Sequence, residues 1–192
     1  TIERYVDELH LVRMALGLKK VHIIGQSWGT SLAVDYLLTK NPHGLVSLVL
    51  SGPLLSARCW IENQLAYIKE LPENVRDVIL ESEEAGEFSS QAYQDAMMEY
   101  YKIHVCRLNP WPDCLNRCFE KLNFSIYSHM WGPSEFTVTG SLKNYERVDR
   151  LKRISVPVLL TCGFYDEATP ETTRYYQKNI PESEIYIFEN AS

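Results

Sequence analysis

The segment Gly25-Gln26-Ser27-Trp28-Gly29 constrains this chain more than any other stretch. It follows the apolar run 21–24 and precedes residues 31–38, whose apolar positions suit a helix. A strand that turns sharply into a helix at Gly-x-Ser-x-Gly forces the central serine outward, over the carboxyl end of a sheet. Gly25 and Gly29 lack a Cβ, which predicts a tight turn with the helix packed close to the strand. The helix N-terminus beside Ser27 favours developing negative charge. Ser27 therefore reads as a nucleophile, and the backbone N–H of Trp28 as a donor to an oxyanion.

The remaining composition narrows the surroundings. With 192 residues, 45% hydrophobic and 23% charged, the chain can build one substantial core and a lid. A net charge of −6 argues against a nucleic-acid partner, which wants a basic face. No apolar run approaches the ~20 residues that span a bilayer, so no membrane partner is expected. The amino end has neither a starting Met nor a signal-peptide layout, which predicts an internal piece of a longer, cytoplasmic product. Cys59, Cys106, Cys114, Cys118 and Cys162, an odd set, then read as reduced thiols. Cys114 and Cys118 would share a helix face, but nothing completes a zinc site, so neither metal nor cofactor is expected. The oligomeric state is open.

Strand and helix patterns alternate along the chain. Residues 2–16 carry apolar positions at helical spacing and stop at Gly17. Strand 21–24, the Ser27 turn and a helix ending near Asn41-Pro42 follow. Residues 45–50 read as a buried parallel strand, 156–162 as the next, 174–178 as a helix and 184–188 as a short last strand. Such alternation means an α/β sheet. Between the second and third strands lies a long helical insertion, which divides the chain into a first core part (1–52), a cap (53–145) and a second core part (146–192). The cap holds thirteen acidic against eight basic residues. Glu81, Glu83, Glu84 and Glu87 look like a solvated face, although a lid with such a field could also draw in a cation. The whole is an α/β-hydrolase fold, reduced to a partial parallel sheet with an inserted helical cap.

In that fold the acid of a Ser-His-Asp triad occupies the loop after the strand that follows the cap. Asp166, 139 residues beyond Ser27 in Gly163-Phe164-Tyr165-Asp166-Glu167-Ala168-Thr169-Pro170, stands there. The histidine should come last in chain order. His10, His22, His43, His104 and His129 all precede Asp166. The general base is thus expected outside these residues, and His22 is expected to be a packing residue of the first strand. That strand should also have one bare edge.

The three stretches Gly25–Gly29, Trp131-Gly132-Pro133-Ser134-Glu135-Phe136-Thr137-Val138-Thr139-Gly140 and Gly163–Pro170 together resemble the proline iminopeptidases, cap-bearing serine aminopeptidases. The resemblance runs through nearly all of the chain. It implies a small peptide substrate with a free N-terminus, preferably proline, cleaved through an acyl-enzyme. It also implies that Glu135 and Glu167 hold the substrate's α-ammonium, a role that suits carboxylates because a buried ammonium needs its charge offset. A carboxylesterase using the same triad, and a non-catalytic binding fragment, are the alternatives. Carboxylates at the cavity mouth speak against the esterase; a histidine encoded beyond Ser192 would speak against the fragment.

Overall fold

The computed structural model describes residues 1–192. Four parallel strands, β1 (Val21–Gln26), β2 (Leu45–Ser51), β3 (Val158–Gly163) and β4 (Ser183–Phe188), lie in the order β1-β2-β3-β4. Sequence order and spatial order coincide, so each crossover moves one strand along the sheet. In the paired rows Gln26 lies opposite Ser51, and Ser51 opposite Thr161. The carboxyl ends of β1, β2 and β3 therefore meet along one edge of the sheet.

Helices α1 (Ile2–Ala15) and α2 (Trp28–Lys40) flank β1 in sequence, and α8 (Pro170–Lys178) joins β3 to β4. Ala33, Val34 and Leu37 of α2 and Tyr176 of α8 pack against Leu48, Leu50, Val158 and Leu160 to make the main core. Arg13 locks the lower loops together. Its guanidinium donates to the Leu18 and Lys19 carbonyls at 2.9 Å each, and also to that of His43. The other sheet face has no helix on it: Ile24 is 75% exposed, and Leu159, Tyr186 and Phe188 are exposed as well.

That one-sided covering corrects two expectations. β2 is not buried on both faces, since Val46 is exposed. His22 is not a packing residue either; it is exposed and its Nδ1 meets Ser47 Oγ at 2.7 Å. The reason is the period of two, which sends alternate residues to the uncovered side. β1 is an edge strand of this sheet. Ends also shift slightly, β3 starting only after Pro157, which has no N–H to give a ladder.

The crossover from β2 to β3 carries α3 (Ala57–Glu70), α4 (Glu73–Ala85), α5 (Gln91–His104), α6 (Asp113–Glu120) and α7 (Phe124–Met130). Ile68, Ile79, Tyr93, Tyr100, Tyr101 and Phe136 form a separate core within it. A third cluster, with Leu54, Trp60, Met130, Trp131, Tyr145 and Ala168, joins it to the sheet. Arg147 pairs with the buried Asp35 of α2 at 2.5 and 2.9 Å and fixes the returning chain. Glu83 departs from the solvated face expected for it: it turns inward and accepts a hydrogen bond from Thr137.

Candidate active site

Ser27 has φ 49° and ψ −120°, a left-handed setting uncommon for a residue with a Cβ. Backbone bonds hold it there, and the Thr30 hydroxyl also donates to its carbonyl at 2.6 Å. Its N–H donates to the Ser51 carbonyl at 2.9 Å, and its own carbonyl accepts from Thr30 N at 2.9 Å. A serine preceding a helix usually spends its hydroxyl on capping, but Ser27 makes no such bond. Its Oγ is left for other chemistry. The turn tolerates this geometry because of Gly25: a Cβ there would lie 2.4 Å from the Gly29 carbonyl oxygen. Gly29 differs from expectation, since a Cβ at that position meets nothing within 4 Å. Close packing of helix on strand is secured by one glycine, not two.

Trp28 opens α2, and first-turn N–H groups have no intrahelical acceptor, so its amide is available beside Ser27. Its indole packs edge-on against Tyr5 at 5.0 Å, with Nε1 buried and without an acceptor.

Asp166 lies in the turn after β3. Its carboxylate accepts from Ala168 N at 2.8 Å and Gly163 N at 3.2 Å. A Cβ built on Gly52, at the end of β2, would come within 3.6 Å of the same carboxylate. Since Ser27 is bonded to Ser51 next door, the two residues share the carboxyl edge, roughly 10 Å or two strand spacings apart. Burial raises the Asp166 pKa, while its two backbone donors work the other way.

Glu135 sits in the cap loop, and its backbone is held at both ends. Its carbonyl accepts from Trp60 Nε1 at 2.8 Å and Trp131 Nε1 at 3.1 Å, while its N–H donates to the Tyr101 hydroxyl at 3.1 Å. The loop closes tightly here, because a Cβ on Gly132 would collide with the Thr137 carbonyl. Ser27, Trp28 and Glu135 line one cavity of about 320 Å³. Its other walls include Tyr5, Leu54, Ile126, Tyr127, Met130, Trp131 and Leu142. Tyr127 and Trp131 were not legible beforehand; no local pattern marks a cavity wall contributed by a cap.

Asp166 and Glu167 do not line that cavity. Glu167 is 8% exposed, and its Oε1 is buried without any hydrogen-bond partner. Burial first, then the charges of Glu135 and Asp166, raise its pKa well above the carboxylate range. Burial likewise raises Glu135, opposed by the Tyr127 hydroxyl. Burial and the neighbouring Glu135 charge thus favour the protonated form of Glu167, whose Oε1 has no donor. None of the five histidines lines the cavity, and no three His, Cys, Asp or Glu side chains converge as a metal site.

The turn at Ser27, the cap and the loop after β3 occupy one edge of the sheet, and a family profile described as alpha/beta hydrolase fold matches residues 1–192. The chain belongs to the α/β-hydrolase fold family. Within it, similarity is to enzymes named proline iminopeptidase. That of Heyndrickxia coagulans is 45% identical over 192 residues, covering 100% of this chain and 66% of the relative. The crystal structure of the Mycobacterium smegmatis proline iminopeptidase superposes with a TM-score of 0.90 at 35% identity, covering 100% of this chain and 64% of that one. The crystal structure of VinJ gives a TM-score of 0.96 at 32% identity, covering 100% and 66%. The chain thus spans slightly less than two thirds of these relatives' length.

Proposed function

We propose that these residues form the nucleophile, acid and amine-binding parts of a serine aminopeptidase that releases an N-terminal residue, preferably proline. One observation carries the reading: the Glu167 carboxyl is buried and unpartnered beside the charge of Glu135, which shares a cavity with Ser27. An α-ammonium held by both carboxylates would bring the adjoining carbonyl to Ser27. Ser27 Oγ attacks that carbonyl, and a histidine takes the Oγ proton. The Trp28 N–H donates to the oxyanion. The same histidine, oriented by Asp166, protonates the leaving amine, and water then releases the acyl group. The base is assigned to a histidine in the part of the relatives' length that this chain does not span. Without it, residues 1–192 alone are expected to turn over no substrate.

A small-molecule esterase is the second reading, favoured by the apolar walls Leu54, Ile126, Met130 and Leu142. The two separate in the protein as encoded by its gene. Glu135→Gln or Glu167→Gln should lower kcat/KM for a free-amine proline arylamide by about ten- to a hundredfold, one charge-assisted hydrogen bond's loss. A neutral ester should be hydrolysed almost unchanged. Equal losses on both substrates would favour the esterase.

A further inference from the structure

Three consecutive carbonyls of the acid loop are each bonded to a side chain of the cap. His104 Nδ1, at the end of α5, donates to the Tyr165 carbonyl at 2.8 Å. The Tyr67 hydroxyl of α3 donates to the Asp166 carbonyl at 3.3 Å. The Gln64 amide of α3 donates to the Glu167 carbonyl at 3.1 Å. The Arg107 guanidinium adds a fourth hold, 3.6 Å above the centre of the Tyr165 ring.

The donors are themselves locked. The His104 ring stacks on Tyr67 with centroids 3.9 Å apart, and Gln64 is fully buried with its Oε1 accepting from Tyr100. A carbonyl can only accept, so Nδ1 carries the proton of His104. Burial lowers the His104 pKa and raises that of Tyr67 to about 12, so both groups stay neutral donors in the neutral range.

Within the loop, the Asp166 carboxylate accepts from Gly163 N and Ala168 N, Asp166 N donates to the Gly163 carbonyl at 3.5 Å and Tyr165 N to the Ala191 carbonyl at 3.0 Å. None of these bonds uses the carbonyls of residues 165–167. Hydrogen bonds to three successive carbonyls fix the intervening peptide planes. Those planes set the directions in which the Asp166 and Glu167 side chains leave the backbone. Loops connecting a strand to a helix are otherwise the mobile parts of a fold.

We propose that Gln64, Tyr67 and His104 are positioning residues, through which docking of the cap aligns Asp166 with the triad and Glu167 with the amine site. The cap then belongs to the catalytic alignment and is not merely a cover over Ser27. This rests on the reading of Ser27 and Asp166 as triad members.

The test uses the protein as encoded, with Tyr67→Phe, the double variant Tyr67→Phe/His104→Phe, and His104→Asn. Phenylalanine keeps the stacked rings and removes the donors. Asparagine Nδ2 stands close to where the imidazole Nδ1 was. The readouts are kcat per active site, titrated with a serine-directed phosphonate, and the pH midpoint of the acidic limb of kcat.

Tyr67→Phe should lower kcat about three- to tenfold, one hydrogen bond's effect, and the double variant more than about tenfold. The acidic midpoint should move to lower pH, because an imidazolium without a well-placed Asp166 is less stabilised. His104→Asn should stay within about threefold of the parent. A purely structural role would reduce the titrated fraction and leave the midpoint in place, and that result overturns the proposal. Unchanged kcat and midpoint in Tyr67→Phe, which removes a single oxygen, overturn it even if the double variant does not fold. Asp166→Asn separates the premises: full turnover there sinks the triad reading and the proposal together. An inactive Asp166→Asn beside a parent-like Tyr67→Phe sinks the positioning role alone.

Discussion

Replacing Glu167 by glutamine should make the unliganded protein more stable while it loses grip on an amine. Glu167 is 8% exposed, its Oε1 has no donor, and it faces the charges of Glu135 and Asp166. Its folded-state pKa is raised, chiefly by burial. A carboxyl with a raised folded pKa binds more protons in the native than in the unfolded state. Native stability is then fullest below the ordinary Glu pKa of about 4.3 and falls as pH climbs from there through the folded value. Glutamine keeps the shape and does not titrate. The variant should therefore match the parent near pH ~4 and exceed it increasingly towards pH ~8. An unsatisfied buried polar group costs about 1–3 kcal/mol, more when charged, so a gain of about 1–3 kcal/mol is expected at the alkaline end. With a urea m-value of about 2 kcal/mol/M, that is a midpoint shift of about 0.5–1.5 M. Urea titrations of both proteins at several pH values measure it directly. A variant no more stable than the parent at alkaline pH would mean the fold already satisfies the Glu167 carboxylate, and the case for a waiting cation site would lose its footing.

Other perturbations follow from the same geometry. Gly25→Ala drives a Cβ to 2.4 Å from the Gly29 carbonyl oxygen, backbone against backbone, and should cost about 3 kcal/mol in chemical denaturation. A cost below about 1 kcal/mol would show that α2 can slide off β1 easily. Ser27→Gly relieves the φ of 49° and should stabilise the fold by about 1 kcal/mol while hydrolysis disappears. Retained turnover in that variant would remove Ser27 as the nucleophile. Arg147→Met leaves Asp35, 3% exposed, as an unpaired buried charge, and should cost about 3–5 kcal/mol at neutral pH. Thermal melts would expose a smaller loss, which would mean that water reaches Asp35.

Much of the fold was legible because it rests on local rules. The apolar run of residues 21–24 and the helical spacing of residues 2–16 are properties of neighbours, and the structure returns both elements. The serine turn was legible for the same reason, since strand, glycine and helix are contiguous there. Even the loop after β3 could be located, because chain order in an α/β sheet dictates where it emerges. Patterns of this kind failed where one residue type serves two environments. His22 and Ile24 look like core from composition, yet both face the side of the sheet that no helix covers. Glu83 has the sequence surroundings of a solvated residue, but Thr137, 54 positions away, draws it inward.

By itself, then, the sequence determined the chemistry on offer: a serine on a strained turn, an acid in a loop after the third strand, and two further glutamates. Tertiary structure alone decided which of these meet and how firmly each is held. Gly25 and Gly29 are equivalent letters in a motif, and only the approach of α2 to β1 makes one indispensable to packing. Glu135 and Glu167 lie 32 positions apart, and the folded cap brings them close enough for the charge of Glu135 to raise the cost of ionising Glu167. The acid loop takes its bearings from Gln64, Tyr67 and His104, which precede it by 61 to 103 positions. Local backbone preferences act over a turn or a strand, whereas the direction of a carboxylate in a loop is set by whatever packs against it from the rest of the chain.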